Sequence, residues 1–404
     1  MDRRKFIKTS LCAGCVAALG GGCFFSNNKN KDLAVRPWDK FKYTDVSQLP
    51  REVRLEACND CQLNCPECYV RRGAQDIIDK NGGFGYLKFS DFKNFIDNHS
   101  FIDEIELSNN GEIFLNPELD DIMKYAYEKG VILTANNGVN LNTVSEKTLE
   151  NLVKYQLRDM VVSIDGATPE VYRIYRRGGD LNTVLNNIKI INKYKKQYNS
   201  EYPYLQWQFI LFGHNEHEID LAKERAAELG MEIYFAPNES PDYSPIHNPE
   251  MVEEKTGVKF VNRNADETNN EEEVPQSTED YSGTVDYEET DNAQAEEGQK
   301  IGVVENDMGA EYCLGLVRFP QINFNGDLLG CCILGDNSFK VNVFKEGLLN
   351  ALNSEHVIKA KLMLSDFSQG PFEELACSSC GVYHDLKNAD KPVDFFKGAY
   401  HYTE

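Results

Sequence analysis

The chain has 404 residues, 41% of them hydrophobic, and a formal net charge of −23 at pH 7. That is enough for one large α/β domain with a smaller one beside it, and the acidity excludes the basic footprint of a nucleic-acid binder. The charge is uneven: between Glu250 and Glu311 stand 19 acidic and 4 basic residues, a net of −15.

Residues 1–25 read as a targeting segment. Arg3 and Arg4 open the run Arg-Arg-Lys-Phe-Ile-Lys, which resembles the twin-arginine export motif. Leu11–Phe25 is too short and glycine-rich to span a membrane. Cys23 follows three glycines like a lipidated cysteine, although Leu19 lies one place too far from it. The expectation is an exported protein, periplasmic or membrane-associated, with a cytoplasmic one as the alternative. Residues 26–50 read as a linker.

From residue 51 to 239 strand and helix signals alternate. Val53 and Leu55 mark a first strand, Ile105 and Leu107 a second. Val131–Thr134, Met160–Ile164, Leu205–Leu211 and Met231–Phe235 mark four more. Between them, Asp180 precedes a helix whose apolar face is Val184, Leu185, Ile188 and Ile191. Thr168-Pro169 supplies a cap and a proline at the first helical position. Asn215 with Glu218 reads as a capping box closed by Gly230. Six strands separated by helices predict βαβ units and a parallel sheet, open or curled into a partial barrel. Residues 240–310 are polar, acidic and without apolar periodicity, and read as a disordered insert. Residues 311–404 form a smaller cysteine-bearing module.

Twelve cysteines carry the chemistry. Apart from Cys12, Cys15 and Cys23 in the leader, they fall into tight groups, the first more than 240 residues from the next, a pattern of metal sites rather than of a disulfide framework. Cys61, Cys65 and Cys68, spaced C-x3-C-x2-C, follow the first strand. Three thiolates in one loop can hold three irons of a [4Fe–4S] cube and leave the fourth open to a small ligand. Cys58 offers a fourth thiolate, so a tetrahedral zinc site is the competing reading.

The stretch Cys61 to Tyr69, Cys-Gln-Leu-Asn-Cys-Pro-Glu-Cys-Tyr, resembles the signature loop of the radical S-adenosylmethionine (SAM) superfamily. Glu67 departs from the aromatic residue usual before the last cysteine, and Tyr69 takes over its place against the adenine. Further resemblances follow in the family's order. Leu107-Ser-Asn-Asn-Gly-Glu112 is similar to its Gly-Gly-Glu motif, with Asn110 for the first glycine, and implies that Glu112 accepts from the SAM ammonium. Asn137-Gly138 is similar to its Thr-Asn-Gly. Ser163-Ile-Asp165-Gly166 stands where members bind the SAM ribose and carboxylate. Tyr172 to Gly179 resembles a Tyr-x3-Arg-x-Gly-Gly run, with Arg176 toward the SAM carboxylate. The resemblance covers about Glu52 to Pro237 and implies a partial (β/α)6 barrel.

Cys313, Gly326 and Cys331, spaced C-x12-G-x4-C, and then Cys377-Ser-Ser-Cys380 resemble the C-terminal module called SPASM. No cysteine follows Cys380, so the shortened "twitch" form with one auxiliary [4Fe–4S] cluster is implied, with zinc as the competing reading. Asn325-Gly326 suits a two-residue hairpin turn. Cys58 and Cys332 are left without a ligand role. The resemblance implies reductive SAM cleavage to a 5′-deoxyadenosyl radical, fed by a donor such as flavodoxin or ferredoxin. A peptide or a sugar-like alcohol would then be oxidised or modified. A non-catalytic iron–sulfur electron carrier and a zinc-stabilised binding module are the alternatives.

Overall fold

The computed structural model describes residues 39–68, 70, 78–79, 82–240, 242–262, 301–303, 309–331 and 339–395. The expected leader, most of the linker, the core of the acidic insert, Tyr69 and Cys332 lie outside the described residues. Among the described residues no helix is long and apolar enough to cross a membrane.

All six expected strands are present: β1 (Glu52–Leu55), β2 (Glu104–Glu106), β3 (Ile132–Val139), β4 (Asp159–Ser163), β5 (Tyr204–Leu211) and β6 (Glu232–Pro237). Each pairs in parallel with the next, in the order 1-2-3-4-5-6. A doubly wound sheet reverses its strand order partway. This one never does, which is the winding of a barrel, and its chain of pairings stops at β6 rather than returning to β1. The fold is a partial (β/α)6 barrel.

The intervening helices are α1 (Phe89–Asn98), α2 (Leu119–Lys129), α3 (Glu146–Lys154), α4 (Pro169–Tyr175), α5 (Leu181–Tyr198) and α6 (Ile219–Glu228). Thr168 caps α4 by accepting from the Val171 amide, with Pro169 at its first position. Asp180 caps α5, which buries Leu181, Val184, Ile188 and Ile191. Trp207 on β5 is fully buried and donates its indole N–H to the Ile164 carbonyl at 2.7 Å.

The capping box expected at Asn215 and Glu218 does not form, because both side chains are needed elsewhere. Asn215 donates to the carbonyls of Asp165 and Ile210 and accepts from the Phe212 amide. Glu218 accepts from the Ala167 amide at 2.6 Å and from Thr168. Both tie the β4 and β5 ends together instead of closing their own helix.

The segment expected to lack structure from residue 240 begins with α7 (Pro249–Thr256), capped by Asn248 and anchored by buried Val252. Ile246, Met251, Val258 and Phe260 also pack against the core, and Lys255 pairs with Asp220 on α6, so the segment is ordered despite its acidic surroundings. β7 (Phe260–Asn262) pairs antiparallel with β8 (Ile301–Val303).

The C-terminal module extends the sheet. After α8 (Gly309–Arg318), β9 (Gln321–Ile322) lies parallel to β1, and β10 (Leu328–Gly330) returns antiparallel to β9 around Asn325-Gly326. There follow α9 (Val343–Glu346), α10 (Leu348–Leu352), α11 (Glu355–Ser365) and α12 (Gly381–Asn388). One apolar core runs through barrel and module, from Val53, Ile105 and Trp207 to Leu316, Ile322, Leu348 and Ile358. His99, at the end of α1, accepts the Leu348 amide on Nε2 at 3.0 Å, so its proton sits on Nδ1, donated to the Phe95 carbonyl.

Candidate functional site

Because β1 to β6 are parallel, the loops that leave them share one rim. Those loops enclose a cavity of about 360 Å³, a size that accommodates a small organic ligand. Cys61, Cys65 and Cys68 after β1 form one wall. Asn109–Glu112 after β2, Asn137–Asn140 from β3, Ser163 from β4, Gln208 and Ile210 on β5, and Ala236–Ser240 from β6 supply the rest. Chemistry at the C-terminal strand ends is the arrangement of (β/α) barrels.

The cysteine loop is tied down by its neighbours. The Asn64 amide donates to the Arg177 carbonyl at 2.9 Å, and Cys68 N–H closes a turn onto the Cys65 carbonyl at 3.2 Å. Asn140 points an amide N–H at the Cys61 sulfur (3.7 Å), and Arg176 a guanidinium N–H at that of Cys65 (4.0 Å). Leu63, Tyr175 and Phe212 back the three thiols with an apolar wall. Burial pushes the Cys61 thiol up to about 12 and raises that of Cys65 as well.

Cys58 takes a different place. It is buried, bridges Tyr86 in extended pairing, and aims its thiol at the Asp60 carbonyl at 3.8 Å. It does not line the cavity. Among the described residues no group of three or more His, Cys, Asp or Glu is arranged to hold a single metal ion. Tetrahedral zinc would need sulfurs about 3.8 Å apart, whereas a four-iron cube spreads its ligands over separate metal atoms. Three thiols on one wall, donors aimed at two of them, and room beside them fit a cluster with one accessible iron.

The remaining expected residues fall as follows. Glu112 lines the cavity, but its carboxylate already accepts from the amides of Phe114 (3.3 Å) and Asn140 (2.6 Å). Burial outweighs these bonds and raises it to about 7. Asn137 lines the cavity, with its backbone amide held by the Ser108 hydroxyl at 2.9 Å. Ser163 donates to Gln208 at 3.1 Å. Gly138 has φ +105°, and a Cβ there would meet the Ser163 hydroxyl at 2.4 Å, so the backbone at this wall leaves no room for a side chain. Arg176 lines the cavity too. Asp165 stands behind it, fully buried, pairing with the guanidinium and accepting from the Ile210 amide at 2.8 Å. Burial raises the Asp165 carboxyl while Arg176 and that amide oppose it.

Three of the buried side chains around the rim, Glu56, Glu106 and Asn140, were not picked out from the sequence, and a fourth, Asn215, was read only as a helix cap. Glu56 accepts from the amides of Asn110 and Gly111 at 3.0 to 3.3 Å and is pushed up to about 8 by burial. Glu106 gathers Ser108, Thr134 and the Asn136 amide. Asn140 and Asn215 complete the set. Each bonds backbone groups of the rim, and Glu106 and Asn215 each join two strand ends. Glu56 and Glu106 alternate with apolar residues as surface positions do, so periodicity alone assigns them to solvent.

A second set of cysteines comes together in the C-terminal module. Cys313 of α8, Cys331 after β10, and Cys377 and Cys380 before α12 line one opening of about 20 Å³ with Leu316, Phe339, Leu364 and Tyr383. None of the described cysteines is in a disulfide. The donor set is all sulfur in an apolar wall, which suits an iron–sulfur cluster closed to outside ligands.

Residues 55–225 match the family model described as Radical SAM superfamily. Among solved structures the chain is similar to Streptococcus suis SuiB bound to precursor peptide SuiA, at 14% identity and a TM-score of 0.50. That match covers 83% of this chain and 70% of that one. It is also similar to the same protein bound to S-adenosylmethionine (13%, TM-score 0.49, covering 83% and 72%). A third match is BtrN in complex with AdoMet and 2-DOIA (12%, TM-score 0.39, covering 78% and 87%). No curated protein sequence matches the chain.

Proposed function

From the match of residues 55–225 to the radical SAM superfamily model we propose that the chain is a radical SAM enzyme whose rim cavity cleaves SAM reductively to start chemistry on a second substrate. A [4Fe–4S] cluster on Cys61, Cys65 and Cys68, when bound, supplies the electron that splits SAM into methionine and a 5′-deoxyadenosyl radical, which takes a hydrogen atom from the substrate. The chain's own residues do the positioning. Arg176, held by Asp165 through Nε, would turn its terminal guanidinium nitrogens to a carboxylate. Glu112, Asn137 and Ser163 line the cavity, where the ammonium and ribose would lie. Tyr69 is assigned to the adenine from its sequence position.

The observation that carries this reading is the separation of Cys58 from its three neighbours, which leaves three thiols facing a ligand-sized cavity. The test is anaerobic reconstitution with iron and sulfide, then incubation with SAM and dithionite. Formation of 5′-deoxyadenosine is expected. Iron-loaded protein that yields none would sink the reading and leave an electron carrier.

The four C-terminal cysteines would hold one auxiliary [4Fe–4S] cluster of the twitch type. With every iron ligated by protein it would take an electron from the substrate radical rather than bind the substrate, making the reaction a net oxidation. A peptide substrate is supported by the peptide bound in the SuiB structure, and the alternative is a sugar-like alcohol. Flavodoxin or ferredoxin would supply the electron. Export through the Arg3-Arg4 segment is proposed on sequence grounds.

A further inference from the structure

We infer that Tyr383 donates a hydrogen bond from its phenol to a sulfur at the auxiliary site and thereby sets the potential of the cluster there. This rests on the reading that Cys313, Cys331, Cys377 and Cys380 hold that cluster.

The placement follows from the chain. Cys380 is the residue before α12, and Tyr383 comes three positions later, on the same helical face. The tyrosine is 1% exposed and lines the same opening as the four thiols. Its ring is fixed by edge-on contacts with Phe367 at 6.0 Å and His384 at 5.3 Å between centroids. Its hydroxyl is buried without a hydrogen-bond partner. A buried tyrosine usually finds a partner for its O–H, and leaving one unmade costs about 1–3 kcal/mol. The other side chains at this opening are Leu316, Phe339 and Leu364. None of the four thiols is within hydrogen-bond reach of the hydroxyl, so the acceptor assigned to it is a sulfide of the cluster bound at this opening.

An electron added to a thiolate-ligated cluster raises the negative charge on its sulfurs. A fixed O–H donor stabilises that charge and moves the potential upward. No bond breaks and the proton stays on the phenol. The substrate radical loses one electron and the cluster gains it.

The test is Tyr383→Phe in the reconstituted full chain, which keeps the ring and removes only the hydroxyl. EPR-monitored titration separates the two clusters, because SAM perturbs the signal of the first alone. The auxiliary potential should fall by about 59 mV, a tenfold weaker reduction for a one-electron couple, with the first cluster unmoved. A deuterium-exchangeable proton coupled to the auxiliary cluster should vanish. In iron-free protein the thermal midpoint should hold or rise, since the hydroxyl has no protein partner to lose. An unchanged auxiliary potential with full iron content overturns the role of Tyr383 and leaves the cluster assignment standing. Wild-type protein holding only about four irons, all lost on replacing Cys65, overturns the cluster assignment and this inference with it.

Discussion

Two cysteine-lined cavities sit in one fold and differ in what surrounds the sulfur. At the barrel rim three thiols share about 360 Å³ with three carboxylates, a guanidinium, amides and hydroxyls. In the C-terminal module four thiols enclose about 20 Å³ among apolar side chains and one phenol. The first can admit an organic ligand and offers groups to orient it. The second has neither the room nor the polar partners. Thiol count and wall polarity change together, as expected if one centre does ligand chemistry and the other only handles electrons.

The largest effects should separate the two centres. Cys65→Ala should remove about four irons and reduce 5′-deoxyadenosine formation to the level of a protein-free control. Cys377→Ala should remove a similar amount of iron yet leave SAM cleavage measurable, now uncoupled from product. If Cys377→Ala also silences SAM cleavage while the rim cluster stays bound, the division of labour is wrong.

Next in size is a pair of glycine substitutions. Gly138 at the rim and Gly330, the residue before Cys331, both have positive φ, +105° and +96°. A Cβ at Gly330 would meet the Phe339 ring at 2.2 Å. Alanine at either should cost about 1–3 kcal/mol in backbone strain, read as a lower urea midpoint. Only Gly138→Ala should also weaken SAM binding, by about tenfold, since only that position forms the ligand wall. Equal loss of SAM affinity from both would mean that the two cavities are coupled.

The two cavities also differ in how far the sequence revealed them. Both cysteine sets were legible, because thiol spacing is a local code and the hairpin at Asn325-Gly326 carries its own turn signal. The six strands were legible from runs such as Leu205–Leu211. The buried acids under the rim were not. Glu56 and Glu106 look like solvent-facing partners of Leu55 and Ile105, and only the crossing of loops from three strands buries them. Asn215 and Glu218 have the spacing of a cap, but long-range demand from the β4 end redirected them. Likewise Asp165 and Arg176 each stood out in the sequence as candidates, whereas their mutual pairing, eleven residues apart across the turn from β4 through α4, did not.

A smaller effect tests one of those hidden acids. Glu56 has its folded pKa raised to about 8 from 4.5 by burial. Between those values the folded state binds more protons than the unfolded one, so stability from this group is present at low pH and is lost as pH rises toward 8. Each unit of difference is worth about 1.4 kcal/mol at most. Glu56→Gln keeps an acceptor for the Asn110 and Gly111 amides and cannot ionise. Urea midpoints of wild type and variant should lie close at pH 5, and the variant should be the more stable at pH 8.5. A wild-type midpoint that rises across this interval relative to the variant would show Glu56 to be ionised and satisfied in the fold.

The smallest expected effect decides the most. Cys58 stands three residues before Cys61, and spacing alone allows it to close a four-sulfur site. Its thiol is instead buried 3.8 Å from the Asp60 carbonyl, with its ionisation pushed up to about 12 by desolvation. It behaves as a small apolar side chain. Cys58→Ala should therefore cost about 1 kcal/mol of stability, leave the iron content unchanged, and alter the 5′-deoxyadenosine rate by less than about twofold, well below the tenfold that 1.4 kcal/mol would give. Loss of about four irons would place Cys58 on the metal. The rim centre would then be as closed as the C-terminal one, with no iron left for SAM.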